Sequence, residues 1–154
     1  MNSRTQGGIV ALALTAMLAL APGALAAKPK TETFRVFSKT VSFTYTSADG
    51  TVTQGPPAGP PSAGDVFEID SLDYRGDHKR HAKVAAMSDY LRCTFLPSLE
   101  PDCYGYVAID GSLLRFHNLD VVGGTGRYQG ATGKTITNQE VTGGSDIVVR
   151  VKLR

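Results

Sequence analysis

The sequence lacks most of the motifs that mark common functional classes. Only two of its 154 residues are cysteines, and no CxxC or matching histidine pair accompanies them, which disfavours a zinc site because such a site needs four ligands. There is no P-loop, no HExxH and no nucleophile elbow, so phosphoryl transfer, zinc proteolysis and serine hydrolysis have no motif to support them. We therefore expect neither a metal nor an organic cofactor.

The chain also carries little excess charge. Its formal net charge is +2, and this falls to +1 if an N-terminal segment containing Arg4 is removed. So small a charge provides no general attraction to nucleic acid or to anionic lipid. We expect no nucleic-acid partner.

Long apolar runs are missing except near the N-terminus. The run at residues 9–20 follows Arg4 and precedes Ala24-Leu25-Ala26. It is shorter than the roughly 20 residues that cross a bilayer, and small residues placed like Ala24 and Ala26 are typical of a signal peptidase site. The pattern predicts a signal peptide over residues 1–26. The mature chain, residues 27–154, is then secreted as one domain without an integral membrane segment.

The mature chain consists of short strand patterns separated by glycine and proline turns, with no convincing long helix. The clearest alternation is at residues 147–153, where Ile147 and Val149 begin an apolar face opposite Arg150 and Lys152. Such a pattern favours an all-β fold over an α/β fold. In an exported protein, the two cysteines, Cys93 and Cys103, are expected to form a disulfide.

Two local features interrupt the strands. Phe34 and Val36 have one parity while Phe43 and Tyr45 have the other, which predicts a bulge or break near Ser38 because strand side chains alternate between faces. Residues 54–64 contain four prolines and three glycines, a composition that predicts an exposed loop inside the domain.

The most constrained stretch is VVGGTGRYQGATG, residues 121–133, which contains five glycines. Glycine takes positive φ or allows close backbone approach, so this clustering predicts a tight corner. A dinucleotide-binding loop is the alternative, but Gln129 occupies the place of its third glycine and no amphipathic helix follows. Nucleotide binding is therefore disfavoured.

This glycine stretch, with the cysteine pair and Gly64-Asp65-Val66-Phe67 upstream, resembles the allene oxide cyclase barrel and dirigent-like families. The resemblance implies a small antiparallel β-barrel of about eight strands. It also implies that Gly123, Gly124, Gly126 and Gly130 are structural. Members of these families, like related bacterial barrels that cyclise polyketides, act by enclosing a reactive molecule so that one conformer reacts.

Few residues suggest themselves as a site. Tyr90, Tyr104, Tyr106 and Arg115 are candidates for lining a ligand cavity, with packing in the core as the alternative for the tyrosines. His117 is a weak candidate for a catalytic acid or base, since a single strand histidine is more often structural.

The sequence thus leaves two functions open. One is an exported, cofactor-free isomerase or cyclase that encloses a small apolar or phenolic molecule. The alternative is a non-catalytic exported barrel that binds a small ligand or a partner protein. A homodimer or homotrimer with a structural role in the envelope is a third, weaker interpretation.

Overall fold

The protein is an antiparallel β-barrel in a computed structural model that describes residues 30–154. The predicted signal peptide, residues 1–26, lies outside the described residues. The elements are β1 Thr31–Thr46, β2 Val52–Gln54, β3 Val66–Arg75, β4 Met87–Phe95, β5 Pro101–Ile109, β6 Ser112–His117, β7 Asp120–Gly124, a 3₁₀ turn Gly126–Tyr128, β8 Thr132–Val141 and β9 Gly144–Lys152. Over residues 30–154, the structure contains no helix with the length and hydropathy that a membrane crossing requires.

The sheet closes into a barrel because β1 pairs with β9, the last strand. Consecutive strands from β3 to β9 pair as antiparallel neighbours, and β1 pairs with both β3 and β9. Residues 31–38 of β1 pair with residues 145–152 of β9. Residues 36–46 of β1 pair with β3, and the last three of them also pair with the short strand β2. Eight strands therefore close the barrel with β2 added at the rim, which confirms the predicted all-β architecture.

A β-bulge in β1 changes which side chains point inward. The register with β3 shifts between Thr40 and Ser42, and Val41 is 61% exposed there. Val36 is buried before the bulge and Tyr45 after it, although their positions differ in parity. The predicted change of phase is confirmed, a few residues beyond Ser38.

One end of the barrel is closed by the glycine corner. Tyr128, from the 3₁₀ turn, is fully buried and packs with Leu114, Val121 and Val151 in the main hydrophobic cluster. Gly126 has φ +54° and a side chain there would collide with Ser112. Gly124 has ordinary φ, but a Cβ would meet the Leu113 carbonyl and Tyr128. The corner thus needs glycine for both backbone conformation and close packing, and Gly123 (φ +132°) and Gly130 (φ +68°) also adopt positive φ.

Cys93 and Cys103 form a disulfide between directly opposed positions of β4 and β5, with Cα atoms 4.0 Å apart. This confirms the predicted pairing and is compatible with an exported protein. Ala82 to Leu96 is long enough for a single strand, but the β3–β4 ladder begins only at the Asp73–Met87 pair. Residues 82–86 instead form a bend after the isolated bridge between Gly76 and His81.

Candidate ligand cavity

The barrel interior beyond the packed end contains a cavity of about 440 Å³. This volume lies within the roughly 300–1,000 Å³ that is usual for small-molecule sites. Residues of seven strands, β1, β3 to β6, β8 and β9, supply most of the wall. The wall is mainly apolar, with Phe34, Leu91, Val107, Leu114, Phe116 and Ile147 among the lining residues. The interior is therefore partly open rather than filled with side chains.

Two carboxyl groups belong to this apolar wall. Asp73 on β3 pairs in register with Met87, and Asp89 on β4 pairs with Ser71. The two aspartates are therefore diagonal neighbours on the inner face. Asp73 is only 3% exposed, and one oxygen of each carboxyl, Oδ1, is buried without a hydrogen-bond partner.

Burial shifts the protonation of both groups. It raises the pKa of Asp73 to about 7, with a further contribution from the charge of Asp89, while a hydrogen bond from Ser38 opposes the rise. Burial likewise raises the pKa of Asp89, against the lowering effect of hydrogen bonds from Ser71. Because buried Asp73 and half-buried Asp89 are neighbouring carboxyl groups that repel each other when both are ionised, the pair is expected to retain one proton near neutral pH.

No basic side chain neutralises this pair inside the cavity. Within residues 30–154, the lining of the cavity includes no lysine, arginine or histidine, and Asp73 and Asp89 are its only charged residues. A pair of this kind can accept a proton at one carboxyl and donate one from the other. The arrangement is therefore chemically competent for proton transfer to and from an enclosed molecule.

The tyrosines predicted to line the cavity are placed differently. Because Cys103, Gly105 and Val107 of β5 line the cavity, the intervening Tyr104 and Tyr106 point to the outer face, where they are 56% and 43% exposed. Tyr106 still borders the cavity, as does Tyr90.

The outer face of β4 to β6 holds paired rings. Tyr90 and Tyr106 have ring centroids 5.5 Å apart, and the Tyr90 hydroxyl donates to Glu68. Arg115, opposite Tyr106 on β6, is exposed. Tyr104 and Arg115 therefore lie outside the cavity, contrary to the prediction that they line it.

His117 also lies away from the cavity lining. Its Nε2 is 2.6 Å from Asp102 Oδ1, and its ring stacks on Tyr104 at 4.3 Å between centroids. Its chain neighbours Phe116 and Asn118 line the cavity instead. This position gives His117 no direct path to an enclosed molecule.

Sequence reasoning missed the two aspartates. The available signal was parity, since Asp73 shares the inward face of β3 with Ser71, and Asp89 sits between the inward Met87 and Leu91 on β4. An acidic residue on the apolar face of a strand is costly to bury unless it has a partner or a function. Their burial is the strongest functional indication that the structure provides.

Two solved structures have a similar fold. A pyocyanin demethylase aligns with a TM-score of 0.57 and 18% identity, covering 80% of this chain and 100% of that one. A pterocarpan synthase dirigent protein aligns with a TM-score of 0.52 and 16% identity, covering 81% and 83%. Comparisons with models of protein families and with curated protein sequences find no match. These likenesses support a dirigent-like and allene oxide cyclase-like barrel fold, and at such identities they establish the fold alone.

Proposed function

We propose that this barrel encloses a small apolar or phenolic molecule and catalyses its isomerisation or cyclisation by proton transfer. The observation that supports this proposal is the pair formed by buried Asp73 and half-buried Asp89 in a mainly apolar cavity. The two structural neighbours are named as a demethylase and a synthase-type dirigent protein, and both names refer to small molecules, pyocyanin and pterocarpan. These names are consistent with the role proposed here. We also propose that the chain is exported, in keeping with its disulfide, and that a homodimer or homotrimer forms in solution.

The chemistry conserves atoms and protons. The ionised carboxylate of the pair removes a proton from one atom of the substrate, and the protonated carboxyl delivers its proton to another atom. The substrate formula is unchanged, and the proton held by the pair ends on the opposite aspartate. Enclosure adds a second contribution, because holding a flexible molecule in one reactive conformer lowers the entropic part of the barrier.

Proton transfer can be tested without the natural substrate. The bicyclic ketone β-tetralone has acidic C–H groups, and its exchange with D₂O can be followed by proton NMR. We expect the protein to accelerate exchange, and Asp73→Asn and Asp89→Asn each to reduce that acceleration at least about tenfold, since positioned acid–base groups typically contribute about 10² to 10⁴. Asp120→Asn, at an exposed position of β7, is the matched control.

The alternative function gives a different result. If the protein is a non-catalytic binding barrel, β-tetralone will bind and compete with other cavity ligands, but exchange will proceed at the solution rate. That result would contradict the catalytic proposal. Unchanged acceleration in both aspartate variants would contradict the assignment of the proton transfer to this pair.

A further inference from the structure

The cavity carries negative charge that the protein itself does not balance. Only 3% of Asp73 is exposed to solvent. The Oδ1 atoms of Asp73 and Asp89 both lack a hydrogen-bond partner. A buried carboxylate is stable only when it is paired or hydrogen-bonded. The unpartnered oxygens at the cavity wall thus point to a ligand group that completes them.

The strands around Asp73 and Asp89 provide few groups that could offset the negative charge of the pair. Ser38 of β1 and Ser71 of β3 provide hydrogen bonds, and the remaining polar lining consists of neutral groups such as Asn118, Thr135 and Asn138. Beyond the pair itself, the charge of Asp70 also disfavours ionisation of Asp89. Among residues 30–154, the charged groups that shift the pKa values of the pair are therefore acidic.

We propose that the molecule enclosed here carries a cationic or N–H-bearing nitrogen on an apolar framework, and that Asp73 and Asp89 bind this nitrogen while the apolar wall holds the framework. This inference rests on the proposed function, since it names the ligand class of the same cavity. It also excludes a class: a molecule with a carboxylate head would add a third negative charge to a site without a basic residue.

Protonation of the pair should then control affinity. The titratable groups bordering the cavity are Asp73, Asp89, Tyr90 and Tyr106. With the pKa of Asp73 raised to about 7, the pair gains negative charge between pH 5 and pH 8. A cationic ligand therefore binds more tightly at pH 8, whereas a neutral ligand of the same shape shows little change.

Three naphthalene probes of matched shape test the proposal: 2-naphthylmethylammonium, 2-naphthylmethanol and 2-naphthoate. Binding is measured by calorimetry and naphthalene fluorescence on the oxidised mature chain. At pH 8 we expect the ammonium to bind about ten- to a hundredfold more tightly than the alcohol, the range for hydrogen bonds to a charged group. The naphthoate is expected to bind most weakly. The preference for the ammonium should shrink at least about tenfold at pH 5.

Variants locate the effect. Asp73→Asn and Asp89→Asn should reduce the ammonium's affinity to about that of the alcohol and leave the alcohol's affinity within about threefold. Asp120→Asn, at an exposed position of β7, should keep the full preference. If an inner variant does not fold, as judged by circular dichroism, the pH dependence of the wild-type protein still decides the matter.

The outcomes separate the two proposals. If none of the probes binds, the enclosed-ligand function fails and this inference fails with it. If the alcohol binds as tightly as the ammonium at pH 8, the cavity function stands and the inference about ligand class is overturned. Preference for the naphthoate would overturn it as well.

Discussion

Replacing Asp73 by asparagine should change how the stability of the protein depends on pH. Burial raises the pKa of Asp73 from 3.8 to about 7, so between these values the native state holds a proton that the unfolded state has lost. Wild-type stability therefore falls as pH rises through this window, at about 1.36 kcal/mol per pH unit. About two pH units of this window, from pH 5 to about pH 7, lie within the range from pH 5 to pH 9. Wild-type stability should therefore fall by about 3 kcal/mol over that range.

The asparagine variant has no such titration, so its stability relative to the wild type should improve by up to about 3 kcal/mol between pH 5 and pH 9. The range avoids carboxylates such as Asp65 and Asp146, whose lowered pKa values act at more acidic pH. Urea unfolding of the oxidised proteins measures the difference, with Asp120→Asn as the control. Parallel wild-type and Asp73→Asn profiles would refute the assignment of a buried, titrating carboxyl.

Three further predictions concern the scaffold and the outer face. Reducing the Cys93–Cys103 disulfide should lower the free energy of unfolding by roughly 2 to 3 kcal/mol; an unchanged urea midpoint would contradict this. Gly126→Val should abolish folding because of its positive φ and the collision with Ser112. Gly59→Val, at a position with neither a positive φ nor an atom within 4 Å of an added Cβ, should fold with its stability changed by only about 0.5 kcal/mol; a folded Gly126→Val protein, seen by circular dichroism, would oppose the structural role. His117→Ala should leave tetralone exchange within about threefold of wild type, since the ring lies outside the cavity; a loss comparable to that of the aspartate variants, about tenfold or more, would return His117 to the catalytic group.

The fold could be predicted from local signals because most of them act within a few residues. The alternation of β9, the phase change in β1 and the crowded glycines each reflect a constraint that neighbouring positions reveal. The start of β4 was not predictable in this way. Ala82 to Ala86 have strand-compatible side chains, but whether they pair depends on how the chain turns back after β3, which is a property of the tertiary structure.

The site was less predictable because its residues are close only in the closed barrel. The tyrosines have the composition of a ligand-binding wall, yet the parity of Tyr104 and Tyr106 relative to Cys103 places both side chains on the outside. Asp73 and Asp89 meet only through the β3–β4 register. Alternation along a strand separates the side chains into two faces but does not show which face points into the barrel. A residue known to be buried, such as Cys93, is needed to identify the inner face.

The most direct test of the enclosed-ligand function is the position of a bound molecule. Intermolecular nuclear Overhauser effects between 2-naphthylmethanol and methyl-labelled protein report which side chains contact it. An enclosed ligand will show contacts to the methyl groups of Leu91, Val107 and Ile147, which line the cavity, and none to those of Val122 and Ile136, which are 52% and 49% exposed. Contacts confined to Val122, Ile136 or other outer methyl groups would contradict the function proposed for this barrel.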